Sequence, residues 1–226
     1  MSTIGREASV TSRFANQFKR ACSRKKLIEF QYELSGQDSK VNADVIFNTL
    51  NNFVLIEFKS FHKSIKAENK KERVYNLCHR LIKNSSMENA HRRCHFVMWG
   101  VTVKRKLETR YTIYQDSVCR KSILKKSEFL DNPECPNILK GENLAIEISE
   151  SITGLNLQEF LIYLQWLFSK ERSLNEQFNG PISLIATSSN EYFDGLQFKS
   201  FPEFKIWAEP VVTQILSSIR IKINND

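Results

Sequence analysis

Residues 41–59, VNADVIFNTLNNFVLIEFK, restrict the possible folds more than any other part of the chain. Two apolar runs, Ala43-Asp44-Val45-Ile46-Phe47 and Phe53-Val54-Leu55-Ile56-Glu57-Phe58-Lys59, flank a short polar turn. Runs this short and this apolar read as strands, and the pair reads as a hairpin. Side chains two apart on a strand share a face, so Glu57 and Lys59 project together while Val54, Ile56 and Phe58 take the other side. With a two- or four-residue turn around Leu50-Asn51, Asp44 falls directly opposite Glu57. Opposed residues have Cβ atoms about 4.5–5.5 Å apart. Two carboxylates at that distance repel, and a divalent cation between them turns repulsion into binding. Oxygen ligands of this kind suit magnesium or manganese. Lys59, one step along the same face, is placed to orient a water or to stabilise developing negative charge. A Glu-x-Lys pair alone is common on strand surfaces. This strand, however, is too apolar for an exposed edge, and the acid on its neighbour falls in register.

The chain around the hairpin supplies the other layers. Residues 2–25 are predicted helical, with Glu7, Val10, Phe14, Phe18 and Ala21 at three- and four-residue steps. Glu7 is thereby expected on the core-facing side. Its place in the first turn, where an acid complements the helix dipole, explains it equally well. Residues 26–34, KLIEFQYEL, alternate as a half-buried strand, and Ser35-Gly36-Gln37-Asp38 follows as a turn, which makes an antiparallel three-strand meander with the hairpin. Residues 60–70 carry little pattern and are expected as a loop or a frayed helix start. Val74, Leu77, Cys78, Leu81 and Ile82 define an amphipathic helix over 71–83, followed by strands at 95–103 and 110–115 with Lys104-Arg105-Lys106 between them. Residues 131–143 hold two prolines and a glycine and read as a loop, the one internal boundary in the sequence. It divides a core over 1–130 from an α/β extension over 144–226 that packs against it. In the extension, Asn156 and Glu159 form a capping-box pair before a helix, residues 181–189 read as a strand, and 203–219 as a helix kinked at Pro210.

The totals narrow the function. A chain of 226 residues, 41% hydrophobic and 26% charged, is expected to fold as a soluble protein. No apolar run reaches the roughly 18 residues a membrane helix needs, and the first ten residues do not read as a secretory signal. Five scattered cysteines fit a reduced, cytoplasmic setting. A net charge of +8 favours an acidic partner such as nucleic acid. Lys63, Lys66, Lys70, Lys71, Arg73 and Arg80 follow the acidic motif closely and are the candidate phosphate contacts, although a solvated helix face has the same composition. His91, Cys94 and His95 lack the spacing of a zinc site. Phe160, Tyr163, Trp166 and Phe168 read as core rather than as a base-stacking platform.

Asp44, thirteen residues further Glu57-Phe58-Lys59, and the order helix, three-strand meander, helix, strand together resemble the PD-(D/E)xK nuclease superfamily, the restriction-endonuclease-like proteins. The resemblance covers about residues 2–103. It departs from the family at Ala43, where proline is usual, and it lacks the Gln and Tyr that some branches carry on the second helix. It implies an α/β restriction-endonuclease-like core and a Mg2+- or Mn2+-dependent endonuclease. Asp44 and Glu57 would be metal ligands, Glu7 the additional acid of the first helix, and Lys59 the catalytic lysine. The implied substrate is DNA ahead of RNA, with a homo-oligomer or a helicase or ATPase subunit as partner and antiviral defence as a setting. The rival expectation is a catalytically inactive module of the same fold that binds nucleic acid or scaffolds a partner protein.

Overall fold

The computed structural model describes residues 6–34, 42–49, 52–126, 128–129, 136–169, 181–188, 196–200 and 202–208. The turn at 35–38, the turn residues Leu50 and Asn51, Pro210 and the rest of 209–219 lie outside these residues.

Helix α1 (Arg6–Arg24) buries Val10, Phe14, Phe18 and Ala21, the stripe expected from its periodicity. Glu7 does not join them: it is exposed. The first turn, where the helix dipole favours an acid, extends past the apolar stripe. The chain leaves α1 through Lys26, whose φ is +55°, and the Leu27 amide donates back to the Cys22 carbonyl at 3.0 Å. This left-handed exit occupies residues expected as strand, so β1 starts at Phe30 (Phe30–Leu34). Strands β2 (Val45–Thr49) and β3 (Asn52–Lys59) form the hairpin, and every described residue of both is buried. Thr49 pairs with Asn52 and Val45 with Ile56, the register of a two-residue turn.

A 3-10 helix (His62–Lys70) occupies the stretch expected as a loop or a frayed helix start, and α2 (Glu72–Ile82) and α3 (Ser85–Cys94) follow. Helix α3 was not expected from periodicity; its signal is the cap, where the Asn84 side chain accepts from the Met87 amide at 3.1 Å. These helices cross over to β4 (His95–Val103), which runs parallel to β3. The turn to β5 (Lys106–Ile113) places Lys104 and Arg105 at positive φ, as a tight primed turn requires. Short helices α4 (Tyr114–Val118) and α5 (Lys121–Leu124) lead towards β6 (Leu139–Lys140) and α6 (Gly141–Ser149). Helix α7 (Leu157–Phe168) begins with the expected capping box at Asn156 and Glu159. Strands β7 (Pro181–Ser188) and β8 (Gln197–Ser200) and a helical stretch over 202–208 end the described chain.

The eight strands of the described residues lie in one mixed sheet, in the order β6-β5-β4-β3-β2-β1-β7-β8. The C-terminal strands extend the sheet itself, because β7 pairs antiparallel with β1. On one face, Val54, Ile56 and Phe58 pack with α1 and with Leu144, Ala145 and Ile148 of α6. On the other, Phe53 and Leu55 pack with α2, α3 and α7, including Leu77, Leu81, Phe160 and Leu164. Helices cover both faces, so β3 is buried all round and reads as a continuous apolar run. Phe160, Tyr163 and Trp166 are core residues. Cys78 and Cys119 are joined by a disulfide across 41 residues of sequence, whereas the sequence reading left all cysteines reduced. Two cysteines this far apart carry no local pairing signature. None of the helices among the described residues is long and apolar enough to cross a membrane.

Candidate functional site

The site lies at the carboxyl ends of the parallel pair β3 and β4, where open α/β sheets commonly bind ligands. Its frame is set by the end of the β2–β3 ladder. The last pair of that ladder is Val45 with Ile56, and Asp44 stands one residue beyond it. At that step β2 turns away towards β1. The Leu34 amide donates to the Asp44 carbonyl at 3.0 Å, and the Asp44 amide reaches the Ile56 carbonyl at 2.9 Å. The Phe58 amide, left without a main-chain acceptor, donates to Asp44 Oδ2. The carboxylate therefore stands in for a missing rung of the ladder.

Glu57 and Lys59 project together on the face opposite Val54, Ile56 and Phe58, as strand alternation requires. Lys59 Nζ donates to Glu57 Oε1. Two residues that the sequence reading left outside the site complete the arrangement. Glu68, fully buried on the 3-10 helix, places Oε1 2.9 Å from Lys59 Nζ and 2.9 Å from Lys71 Nζ. Its Oε2 accepts from the Tyr114 hydroxyl at 2.8 Å. Lys71 Nζ also lies 2.8 Å from Glu57 Oε1. Two carboxylates and two ammoniums thus alternate around a closed ring. Ile65, Glu68 and Lys71 recur every three residues, the period of a 3-10 turn, and that spacing is the signal that marks Glu68 in the sequence.

Burial sets the charges. It pushes the Asp44 carboxyl up to about 8, with the neighbouring Glu57 acting in the same direction. Burial also raises Glu57, against the pull of Lys59. Glu68 is held below the ordinary range because Lys59 and Lys71 outweigh its burial. Burial lowers the Lys59 ammonium, but Glu57 and Glu68 more than reverse this and it ends above its ordinary value. Three carboxylates face two ammoniums, and Glu57 Oε2 is buried with no hydrogen-bond partner; Glu68 Oε1, also without one, is in ion-pair contact with both lysines. The site therefore has room in its charge balance for one proton on Asp44 or for a cation.

Glu7 does not touch this ring. It lines an open cleft of about 820 Å3 together with Thr11, Ser12, Glu33, Leu34 and Asp44. Through that cleft Asp44, itself half-buried, is reached from the α1 side. Arg6 anchors this end of α1, donating to the Ser60 carbonyl at 3.1 Å and stacking 4.2 Å over the Phe61 ring.

The basic residues separate into two groups. Lys63, Lys66, Lys70 and Arg73 are exposed. Lys71 belongs to the ring. Arg80 donates to the Trp166 carbonyl at 2.6 Å and the Ser169 carbonyl at 2.9 Å and lies 4.1 Å over the Trp166 ring. It caps the carboxyl end of α7, which corrects its reading as a phosphate contact. His91 and His95 share the Tyr163 hydroxyl instead of converging on Cys94.

Among the described residues, no group of three or more His, Cys, Asp and Glu side chains is arranged to hold a metal ion. Asp44 and Glu57 are a pair. Magnesium is commonly held by one or two carboxylates, with waters and substrate phosphates completing its shell. The desolvated Asp44 and the orphaned Glu57 Oε2 fit that donor set. Comparison with protein-family models, with characterised proteins and with solved structures returned no match to this chain.

Proposed function

We propose that this chain is a metal-dependent nuclease of the PD-(D/E)xK type that hydrolyses phosphodiester bonds, with DNA as substrate. The observation that carries the reading is the end of the hairpin. The hairpin carries Asp44, whose carboxylate accepts from the Phe58 amide, and Glu57, whose Oε2 has no hydrogen-bond partner, at the carboxyl end of β3, with Lys59 paired to Glu57. The order of elements supports it: α1, an antiparallel meander, a helical crossover and a strand parallel to β3. Asp44 and Glu57 would hold Mg2+ or Mn2+, with Glu7 reaching the same cleft from α1. A cation held there lowers the pKa of a bound water and polarises a phosphoryl oxygen. Lys59, fixed by Glu68, orients the attacking water or offsets charge on the scissile phosphate. Asp44 keeps its place through the Phe58 amide, so the acid is aimed before substrate arrives.

The non-catalytic module has one observation in its favour: both lysines of the ring are already paired with carboxylates, the arrangement of a structural ion cluster. Cleavage of plasmid and single-stranded DNA in Mg2+ separates the two. The nuclease reading expects wild-type cleavage and a loss of about 10^3-fold in Asp44→Ala and Lys59→Ala, since metal-site chemistry supplies several kcal/mol and each 1.36 kcal/mol is tenfold. Salt-dependent binding with no cleavage by the wild type would establish the module instead.

A further inference from the structure

The two lysines of the ring are not equivalent. Lys59 sits on β3, a strand buried along its whole length, and its side chain is 10% exposed. Lys71 sits in extended backbone (φ −93°, ψ 107°) between the 3-10 helix and α2, and its side chain is 34% exposed. Side-chain rotation alone carries the Lys71 ammonium into solvent, whereas Lys59 has nowhere to go. Glu68 does not depend on Lys71, because Lys59 and Tyr114 remain on it. Glu57 depends on it more, having one oxygen shared by both ammoniums and the other bare. A divalent cation held by Asp44 and Glu57 would sit beside the ammoniums paired with Glu57 and repel them. The group free to leave is Lys71. Outside the ring it joins the exposed Lys66, Lys70 and Arg73, the charged rim a phosphate backbone would meet.

Building on the nuclease reading, we propose that Lys71 is an exchangeable counter-ion: it neutralises Glu57 while no metal is bound, and a divalent cation displaces it to bind a substrate phosphate. Metal occupancy and substrate grip are then coupled through one side chain. The test is calorimetric titration of Mn2+ into the full chain as wild type, Lys71→Gln, Lys71→Arg and, as a distant charge control on the β4–β5 turn, Lys104→Gln. Removing the competing ammonium should tighten Mn2+ binding about tenfold in Lys71→Gln, while Lys71→Arg and Lys104→Gln stay within about twofold of wild type. Binding of a fluorescent DNA duplex supplies the second arm. Lys71→Gln should bind it several-fold more weakly than wild type in Ca2+ and equally in EDTA. Unchanged or weaker Mn2+ affinity in Lys71→Gln, or the same DNA-binding loss with and without Ca2+, overturns the exchange while leaving the nuclease reading intact. A wild type that binds no divalent cation overturns both.

Discussion

Two polar clusters lie on the same face of the sheet, and they solve burial in opposite ways. The ring of Glu57, Glu68, Lys59 and Lys71 is built of ion pairs and reaches the surface through Lys71. The other cluster is neutral and sealed: His91 and His95 are fully buried, as is Tyr163 between them. Its donor order follows from the Asn42 carbonyl, which can only accept. His95 Nε2 therefore donates to it at 2.9 Å, and His95 Nδ1 is left to accept the Tyr163 O–H at 2.9 Å. His91 Nδ1 then donates to the Tyr163 oxygen at 2.6 Å, and His91 Nε2 remains a buried lone pair with no partner. Burial pulls the His95 imidazole down to about 4 and His91 well below its ordinary value, so both stay neutral. Each cluster thus carries a buried acceptor with no hydrogen-bond partner. In the sealed cluster nothing can reach it, and the cluster fixes the loop at Asn42 two residues before Asp44. In the open one an unmet carboxylate oxygen lies beside a solvent-facing acid, and there it has a possible use.

The contrast is sharpest for stability. Glu68→Ala removes the carboxylate that both lysines and Tyr114 share. Breaking a buried ion pair from one side should destabilise by about 3–5 kcal/mol. For a chain of this size that is a fall in Tm of roughly 10 °C; an unchanged Tm would mean that the ring contributes nothing to stability. Next comes acid. The folded histidine values lie below the unfolded one, so their stabilisation is complete above about pH 6.5. It is lost as the pH falls towards 4, where the unfolded chain takes up protons the native cluster refuses. The histidines should make stability in urea differ by on the order of 2–3 kcal/mol between pH 7 and pH 5, an effect that Asp44, raised to about 8, opposes. Replacing His95 with Gln should flatten that difference; an equally steep profile in the variant would move its origin elsewhere. Tyr163→Phe strands both Nδ1 atoms and should cost about 2 kcal/mol while leaving Mn2+ affinity unchanged. A change in metal affinity in that variant would break the separation between the clusters. The smallest effect belongs to the rim. Lys66→Gln or Arg73→Gln should each weaken DNA binding by a few-fold and lower the salt slope by about 1.

Much of this arrangement is legible in the residues, and the rest is hidden for identifiable reasons. Strand alternation suffices to place Glu57 and Lys59 on one face, because a hairpin is local; Asp44 lies just past the last ladder pair, where the turn no longer sets its position. The α1 stripe and the capping box at Asn156 are local in the same way. Glu68 and Tyr114 meet across 46 residues, and nothing near either one announces the other. Lys71 and Arg80 show why a basic helix face is ambiguous: a lysine in an ion ring, an arginine capping a distant helix and a solvated lysine all look alike in sequence. Glu7 followed the apolar period and still faced solvent, because the helix begins before its packing partners do. The insertion of β7 beside β1 joins residues more than 150 apart and leaves only a short apolar run as its trace.

The rung that Asp44 completes has a further consequence. An amide proton held by a carboxylate is polarised more strongly than one held by a peptide carbonyl. The Phe58 proton therefore carries the state of the Asp44 side chain in its own resonance frequency. A bare carboxylate, a protonated one and one sharing its electrons with a cation would each leave that single backbone signal in a different place. The protein thus contains an unlabelled internal gauge of the acid that faces its cleft, read from a backbone atom.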